Sequence, residues 1–392
     1  MSHSKRYAAR GVSSTKDEVH VAIEKLDKGL YPNAFCKILP DIGTGDTDFC
    51  TILHADTAGT KASLAYVYWR ETGDLSVWKG ISQDAIVMNL DDMACVGCVD
   101  DFLISNTITR NKHKIPGEVL TAIIDGAVEF CDLMASLGIT IHHAGGETAD
   151  VGDIVRTVDV GFTAFGRMRR DQLVINDIKE GDVIIGLASY GQSTYETEYN
   201  SGIGSNGLTS ARHDVLTKKY AEAYPESYGP ETPEAFVYSG TKRVEDEMAI
   251  GSLKLPVGKL LLSPTRTFVP VVREVFSQLG GRVNGIIHCT GGGQTKVSKF
   301  LPDHLMAVKN NLLPVPPLFT LIQEESKADW QEMYQVFNMG VRLELYLPRE
   351  YADTVLGIAS HFAIDAQIIG QVESSKEHAV VVASPFGTFH YE

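Results

Sequence analysis

Apolar residues recur along the first half of the chain with the spacings of helices and of strands. In segment 119–137 they lie three or four residues apart, which predicts an amphipathic helix, and Gly138 is well suited to end it. Segments 51–55, 140–144 and 158–165 have the apolar runs or the alternation that are typical of short strands. The pattern therefore predicts strands and helices that alternate and pack together.

The second half repeats this pattern after a polar interval. Segments 182–188, 284–289 and 341–347 predict strands, and segment 268–279 predicts a helix. We place a domain boundary between 167 and 180, which divides the chain into an N-terminal domain, 1–168, and a C-terminal domain, 169–392. Segment 191–258 is polar and rich in Gly, Ser, Tyr and Glu, which is typical of a functional excursion or a mobile lid outside the core. The predicted fold class is α/β, with helices packed on a sheet in each domain.

Length, charge and composition limit the classes of function that this chain can have. The length of 392 residues fits two domains, and the net charge of −15 argues against a general nucleic-acid binder. It still allows a phosphorylated substrate, because Mg²⁺ can bridge carboxylates and phosphates. No run of 18 apolar residues predicts a membrane helix, and the N-terminal MSHSKRYAAR lacks the apolar segment of a secretory signal. Six cysteines are too few for a disulfide framework, so we expect a cytoplasmic protein.

Four short motifs combine an apolar segment with glycines, carboxylates or both, and we interpret each as a strand followed by a turn. They are HADTAGTK at 54–61, NLDDMACVG at 89–97, HHAGGETAD at 142–150 and HCTGGGQTK at 288–296. Backbone N–H groups of such turns can hold phosphate oxygens. Asp56, Asp92 and Glu147 are suitable ligands for Mg²⁺, and Lys61 and Lys296 can offset phosphate charge. The recurrence of the motif favours a nucleotide site, although each carboxylate taken singly is more often a cap or turn residue.

Other sequence motifs are matched by residues of this chain, but they lack the neighbouring residues or strand pattern that their function requires. The glycines at 202, 204 and 207 satisfy G-x-G-x-x-G, but the residues before them do not form a strand pattern. A Walker A loop is absent from the sequence. Cys95 and Cys98 have no second pair at zinc spacing, which favours simple packing. His142 and His143 would point to opposite faces of a strand, so they are poorly placed to bind one metal.

The motifs, taken in order, resemble those of the phosphoribosylformylglycinamidine cyclo-ligase family, also called aminoimidazole ribonucleotide synthetase. The resemblance extends from about residue 30 to residue 375. Gly204 stands where the family's H-S-N-G has histidine. The similar segments are 55–61 to T-D-G-V-G-T-K, 88–97 to M-x-x-N-D-I-x-x-x-G, 145–150 to G-G-E-T-A-E, 205–207 to S-N-G, 262–269 to L-x-P-T-R-x-Y-V, 288–293 to H-I-T-G-G-G and 337–340 to F-N-M-G.

The resemblance implies a two-domain fold in which the N-terminal domain forms a homodimer with a β-barrel across the interface, and the C-terminal domain is an α/β sandwich. It implies ATP and Mg²⁺ as cofactors and formylglycinamidine ribonucleotide, a small phosphorylated ribonucleotide, as the substrate. The implied activity is ring closure to aminoimidazole ribonucleotide in purine biosynthesis. Nucleic acids and membranes are not implied as partners.

The resemblance also implies roles for individual residues. Catalysis and metal binding would involve Asp56, Asp92 and Glu147, with Lys61 on the phosphates. Two alternatives remain: another ATP-dependent enzyme of the superfamily, such as a selenophosphate synthetase-like protein or a small-molecule kinase, and a non-catalytic nucleotide-binding relative. The implied cofactor-binding residues are Asp56, Thr57, Gly59, Thr60, Lys61, Asp91, Asp92, Gly145, Gly146, Glu147 and Thr148, and the implied substrate-binding residues are Ser205, Asn206, Gly207, Thr290, Gly291, Gly292, Gly293 and Asn338.

Overall fold

The structure is a computed structural model that describes residues 10–12, 21–22 and 24–392. Within these ranges, two large sheets of five and seven strands carry the fold, together with two small two-stranded sheets. All strands of the five-stranded sheet precede those of the seven-stranded sheet along the chain. The N-terminal decapeptide, whose sequence argues against a secretory signal, lies outside the described residues except for Arg10.

The first sheet is built from β1 (Leu39–Pro40), β2 (Phe49–Thr57), β3 (Phe102–Arg110), β4 (Ile141–Asp150) and β5 (Val158–Arg169). The strands lie in the order β1-β2-β5-β3-β4, and only β3 and β4 run parallel. Residues 24–169, all of them described, contain three α-helices: α1 (Lys61–Thr72), α2 (Ser76–Ala94) and α3 (Gly117–Ser136). The predicted strands at 51–55 and 158–165 and the predicted helix at 119–137 are confirmed.

The helices cover one face of this sheet and leave the other face open. Along β3, Phe102 and Ile104 are buried, whereas Leu103 between them is 44% exposed. On β2, Leu53 is 62% exposed. Since successive strand residues point to opposite faces, these leucines lie on the uncovered face.

Two of the four motifs do not have the predicted form of a strand followed by a turn. Segment 89–97 lies in the last turns of α2 and just beyond it. Residues 84–91 are all buried, so the polar stripe that would reveal a helix is missing. Segment 142–150 continues as strand β4 through both glycines, with a β-bulge opposite Ile104–Asn106. Gly145 has a φ of 83° there, and a Cβ on Gly146 would lie 2.1 Å from the carbonyl oxygen of Asn106.

The second sheet contains β6 (Val183–Ala188), β11 (Gly285–His288), β12 (Leu305–Lys309), β13 (Val341–Leu347), β14 (Ala366–Ser374), β15 (Ala379–Ser384) and β16 (Gly387–Tyr391). The strands lie in the order β11-β13-β6-β14-β12-β15-β16, and only β12 and β15 run parallel. The predicted strands at 182–188, 284–289 and 341–347 are confirmed. The small sheets are β7 (Tyr190–Gly191) with β8 (Asn200–Ser201), and β9 (Glu247–Ile250) with β10 (Leu253–Pro256).

Seven helices belong to the second half of the chain. The helix predicted at 268–279 is confirmed as α7. The helices are α4 (Leu208–Val215), α5 (Lys219–Ala223), α6 (Val257–Leu261), α7 (Val269–Leu279), α8 (Pro317–Ser326), α9 (Trp330–Val336) and α10 (Ala352–His361).

Much of segment 191–258 belongs to the core, so the expectation that it lies outside the core is wrong for its central part. Tyr220 and Tyr238 are fully buried, and Arg212 is 3% exposed. Glu226 binds the hydroxyl of Tyr66 on α1. The contact between Glu226 and Tyr66 joins the segment to the first domain.

All six cysteines are free, and Cys95 and Cys98 are buried, in agreement with their interpretation as packing residues. Among the described residues, we find no helix with the length and apolar character needed to cross a membrane.

Candidate functional site

The candidate site is centred on Asp92, whose carboxylate lies between two histidine rings. The last turns of α2 carry Asp92, β2 carries His54, and β11 of the second sheet ends at His288. The Nδ1 atom of His288 lies 2.7 Å from Oδ1 of Asp92, and Nε2 of His54 lies 3.4 Å from Oδ2. The His288 side chain is fully buried, whereas those of Asp92 and His54 are 17% and 23% exposed. The cluster therefore opens to solvent on the side of His54.

An acceptor atom faces each ring nitrogen of His54. Asn89 donates from Nδ2 to the carbonyl oxygens of Ala85 and Phe162, so its Oδ1 faces His54 Nδ1 as an acceptor at 2.9 Å. The other ring nitrogen, Nε2, faces Asp92. An imidazole that donates from both nitrogens is the protonated form. The two acceptors therefore favour the positively charged form of His54.

The pKa values of the cluster agree with this assignment. Burial opposes a charged His54, but the hydrogen bond and the charge of Asp92 raise its pKa to about 9. Burial also acts to raise the pKa of Asp92, but the hydrogen bonds from His288 and His54 hold it well below its ordinary value. Asp92 therefore already has two partners in the protein, and binding a metal would compete with them.

Asp91 points away from this cluster and joins the two domains. It is fully buried, and it accepts hydrogen bonds from Thr267 Oγ1 at 2.8 Å and from the N–H of Phe268 at 3.0 Å. The guanidinium of Arg342 lies 3.6 Å from it. Burial raises the pKa of Asp91, against the nearby charges of His288 and Arg342. The predicted cofactor contact of Asp91 therefore falls on a residue enclosed by protein.

Lys61 is likewise buried at the domain interface. Its Nζ donates to Asp84 Oδ1 at 2.8 Å and to the carbonyl oxygen of Ser263 at 2.6 Å. Asp84 also accepts hydrogen bonds from Thr265. Burial lowers the pKa of Lys61, and the charge of Asp84 opposes that effect. A direct contact between Lys61 and a phosphate would require the ammonium group to leave these partners.

The turn between β2 and α1 has the predicted strand-then-turn form. The N–H of Thr57 donates to Asp56 Oδ1 at 2.7 Å, and the N–H of Gly59 donates to Thr57 Oγ1 at 3.1 Å. Thr60 Oγ1 lies 2.7 Å from Thr209 Oγ1, at the start of α4. Asp56, Thr57 and Gly59 are exposed. This turn therefore presents polar groups to solvent and also contacts the helix that follows the S-N-G motif.

Glu147 lies on the other face of the first sheet from Asp56. Across the sheet, Asp56 is in register with Phe162, whereas Thr57 is in register with Gly161, Thr107 and Glu147. Three strand spacings separate β2 from β4, or about 14 Å. Gly145, Gly146 and Thr148 are exposed on the same edge strand.

The structure does not bring the three predicted metal ligands together within one chain. Asp92 is held by histidines, and Asp56 and Glu147 lie on opposite faces of the sheet. In the described part of the chain, no cluster of three or more His, Cys, Asp or Glu side chains is arranged to hold a metal ion.

The predicted substrate loops do face each other. A Cβ on Gly291 would lie 3.7 Å from Asn206 Oδ1, which places the S-N-G turn opposite the glycine loop. Gly207 has a φ of 80° at the start of α4 and packs against the ring of Phe337. Ser205, Asn206, Thr290 and Gly292 are half-buried, Gly291 is exposed and Gly293 is buried.

Asn338 lies behind these loops and connects them. It donates from Nδ2 to the carbonyl oxygen of Gly202 at 2.9 Å, and it accepts from the N–H of Gly340 at 2.8 Å. With 8% exposure it has little surface to offer a substrate.

Sequence reasoning did not select His54 or His288 as site residues. Both lie within the quoted motifs, and His54 precedes Asp56 by two residues, so the two share a face of β2. The two-residue spacing between His54 and Asp56 was the sequence feature that could have identified His54 as a site residue. The contact with Asp92 depends on the domain packing, which no local pattern reveals.

Two family models match the chain. The model described as AIR synthase related protein, N-terminal domain, matches residues 36–168, and the model described as AIR synthase related protein, C-terminal domain, matches residues 179–383.

Similar curated proteins are named phosphoribosylformylglycinamidine cyclo-ligase. The one from Methanocaldococcus jannaschii is 28% identical over 335 residues, which are 84% of this chain and 80% of the relative. The one from Caldicellulosiruptor saccharolyticus is 27% identical over 349 residues, which are 86% of this chain and 85% of the relative.

Solved structures share the two-domain fold. PurL of Thermotoga maritima complexed with ADP aligns with a TM-score of 0.55 and 15% identity over 96% of this chain, which spans about half, 47%, of that protein. A ThiL protein complexed with AMPPCP and TMP aligns with a TM-score of 0.55 and 12% identity over 96% of both chains.

Proposed function

Because the chain belongs to the AIR synthase related family, we propose that it is a phosphoribosylformylglycinamidine cyclo-ligase. In this reaction ATP drives the closure of formylglycinamidine ribonucleotide to aminoimidazole ribonucleotide, with release of ADP and phosphate, in purine biosynthesis. The two curated relatives described above carry this name and align with more than four fifths of the chain.

The reaction converts an amide oxygen into a leaving group. The formamide oxygen attacks the γ-phosphorus of ATP, the bond from that phosphorus to the β–γ bridging oxygen breaks, and ADP leaves. The amidine nitrogen then attacks the formyl carbon and gives up a proton, and the C–O bond breaks to release phosphate. The protein must hold both ends of one substrate together and stabilise the charge on the transferred phosphoryl group.

The His54–Asp92–His288 cluster is the observation that best supports this function. It joins three of the four motifs and sets a protonated ring where the first turn meets solvent. His288 leads directly into the glycine loop, where the N–H groups of Gly291 and Gly292 make no backbone hydrogen bond within the described ranges. A fixed cation and open N–H groups suit the oxygens of a phosphoryl group. We assign the substrate to the surface formed by this loop and Asn206.

We propose that ATP binds at the turn formed by Asp56, Thr57, Gly59 and Thr60. Structures of the same fold hold ADP and AMPPCP, which supports a nucleotide site. Burial raises the pKa of Asp159, and the charge of Asp56 acts in the same direction. The exposed carboxylate of Asp56 suits Mg²⁺, which takes one or two protein carboxylates and completes its shell with phosphates and water. Mg²⁺ there would neutralise the phosphates as the γ-phosphoryl group is transferred.

A second copy of the chain would account for the open face of the first sheet and for Glu147. Leu53 and Leu103 expose apolar surface on that face, and Glu147 stands on it as well. We propose that two copies pair through this face, as a homodimer. Glu147 would then contribute to a site at the dimer interface, which it cannot do within its own chain.

The test is a turnover assay on the purified protein. Formylglycinamidine ribonucleotide, ATP and Mg²⁺ are mixed with it, and aminoimidazole ribonucleotide and ADP are measured together. Product and ADP in equal amounts support the proposal. ADP formed only with a different acceptor would indicate another ATP-dependent enzyme of this fold, and nucleotide binding with no ADP formation would indicate a non-catalytic relative.

A further inference from the structure

A buried ion pair lies beneath the glycine loop. Lys309 ends β12, and Glu344 lies in the middle of β13; both side chains are fully buried. The two strands are separated in the sheet by β6 and β14, so the pair spans the face of the sheet. Lys309 Nζ binds Glu344 Oε1, and Glu344 Oε2 accepts from the hydroxyl of Tyr346 at 2.7 Å.

The same ammonium group holds the loop. Lys309 Nζ donates to the carbonyl oxygen of Gln294 at 2.6 Å. The Gln294 side chain is buried and donates from Nε2 to the carbonyl oxygens of Asn338 at 2.7 Å and of Val341 at 2.9 Å. Lys309 thus holds the main-chain carbonyl of Gln294, and the carbonyl groups of Asn338 and Val341 hold its side chain.

The glycine next to Gln294 has no freedom to move inward. Gly293 has a φ of 50°, and a Cβ there would lie 2.5 Å from the carbonyl oxygens of Tyr334 and Phe337. The loop is therefore pressed against α9 and held by Lys309. Gly291 and Gly292 are the part of the loop that remains open toward Asn206.

Stability alone is a weak reason for such a pair. Removing two charges from water costs about as much as their attraction returns, and apolar replacements of buried ion pairs are often neutral or stabilising. What an apolar pair cannot supply is a directed donor for a loop carbonyl. The geometry of Lys309 therefore points to a role in orienting the loop.

We propose that Lys309 and Glu344 are positioning residues that hold the Gly291–Gln294 loop in the conformation that binds the ribonucleotide substrate. The pair does not touch substrate; it acts through the carbonyl group of Gln294. The assignment of the ligand rests on the proposed function, whereas the control of the loop by the pair does not.

The test is the double variant Lys309→Met/Glu344→Gln. It leaves no unpaired charge, and the new amide still accepts from Tyr346, but the bond to Gln294 is lost. The matched control is Arg10→Met/Asp214→Asn, which neutralises another buried ion pair, with a 2.7 Å contact, that is not among the contacts of the loop. Thermal unfolding, hydrogen exchange of the peptide 290–300 and steady-state kinetics are measured on the full chain.

We expect both double variants to unfold near the wild-type temperature. In Lys309→Met/Glu344→Gln alone, amides such as that of Thr295, which is bonded to Gly292, should exchange about tenfold faster, and KM for the ribonucleotide should rise by about tenfold or more at unchanged KM for ATP. Wild-type exchange and wild-type KM in that variant would overturn the proposal. If the wild-type protein does not turn over, the proposed function fails, and hydrogen exchange still decides whether the pair controls the loop.

Discussion

His288 and Asp92 are joined by a hydrogen bond of 2.7 Å that crosses from the second sheet to the first domain. The site is thereby formed by domain packing and does not belong to either domain alone. Asp92 also holds His54, so one carboxylate connects the strand before the first turn with the strand before the glycine loop. Any change at Asp92 should affect both the charge of the site and the contact between the domains.

The first prediction concerns Asp92→Asn and pH. The folded-state pKa of His54 is about 9 against an ordinary 6.5, so its stabilisation is complete below pH 6.5 and is lost as the pH rises through about 9. The pKa of Asp92 is lowered, so its stabilisation is present above its ordinary value of 3.8 and is lost as the pH falls through the folded value. The shift of His54 corresponds to at most about 3–4 kcal/mol, counted once for the pair.

We therefore expect the free energy of unfolding of the wild type to fall between neutral and alkaline pH by more than that of Asp92→Asn. Urea unfolding at a series of pH values measures this difference, and an NMR titration should show the pKa of His54 falling toward 6.5 in the variant. His390→Gln, at an exposed position, is the control and should follow the wild type. Parallel pH profiles for the wild type and Asp92→Asn would contradict the ion-pair assignment.

The second prediction separates two roles for Lys61. Lys61→Met leaves Asp84 as a buried, unpaired charge, which should cost about 3–5 kcal/mol of unfolding free energy. Lys61→Met/Asp84→Asn removes that charge and keeps an oxygen that accepts from Thr265, so most of the stability should return. Because the ammonium group is enclosed by protein, we expect ATP turnover to return together with the stability in the double variant. Recovered stability without turnover would show that Lys61 contacts the phosphates directly.

The sequence predicts individual helices and strands better than it predicts which of them come into contact. The stripe of Val119, Ile123 and Phe130 identifies a helix because one side of that helix is solvated. The stretch before Asp91 and Asp92 is buried all round, so it reads equally well as a strand. On a helix, neighbouring residues point about 100° apart. Because of this difference in direction, the Asp91 side chain lies at the domain interface and the Asp92 side chain lies between the histidines. The interpretation of this segment as a strand followed by a turn could not predict that arrangement.

The third prediction tests the bulge in β4. Gly146→Ala would place a Cβ 2.1 Å from the carbonyl oxygen of Asn106, so the strand must shift, at a cost of about 1–3 kcal/mol. We expect lower stability and, because Glu147 is the next residue, reduced activity. Gly117→Ala is the matched control: nothing lies within 4 Å of its added Cβ, and helix α3 should gain up to about 1 kcal/mol. Equal stabilities for the two variants in urea unfolding would contradict the bulge geometry.

The last prediction concerns the open face of the first sheet. Leu103 is 44% exposed on that face, and a second copy seated there would bury it. Leu103→Lys would place a charge in the dimer interface, where burial without a partner is costly. We expect the wild type to sediment as a dimer and Leu103→Lys as a folded monomer with reduced activity, because Glu147 would lose the partner site. Ile154→Lys, at a residue 83% exposed, should remain dimeric and active. A wild-type monomer with full cyclo-ligase activity would rule out the shared site.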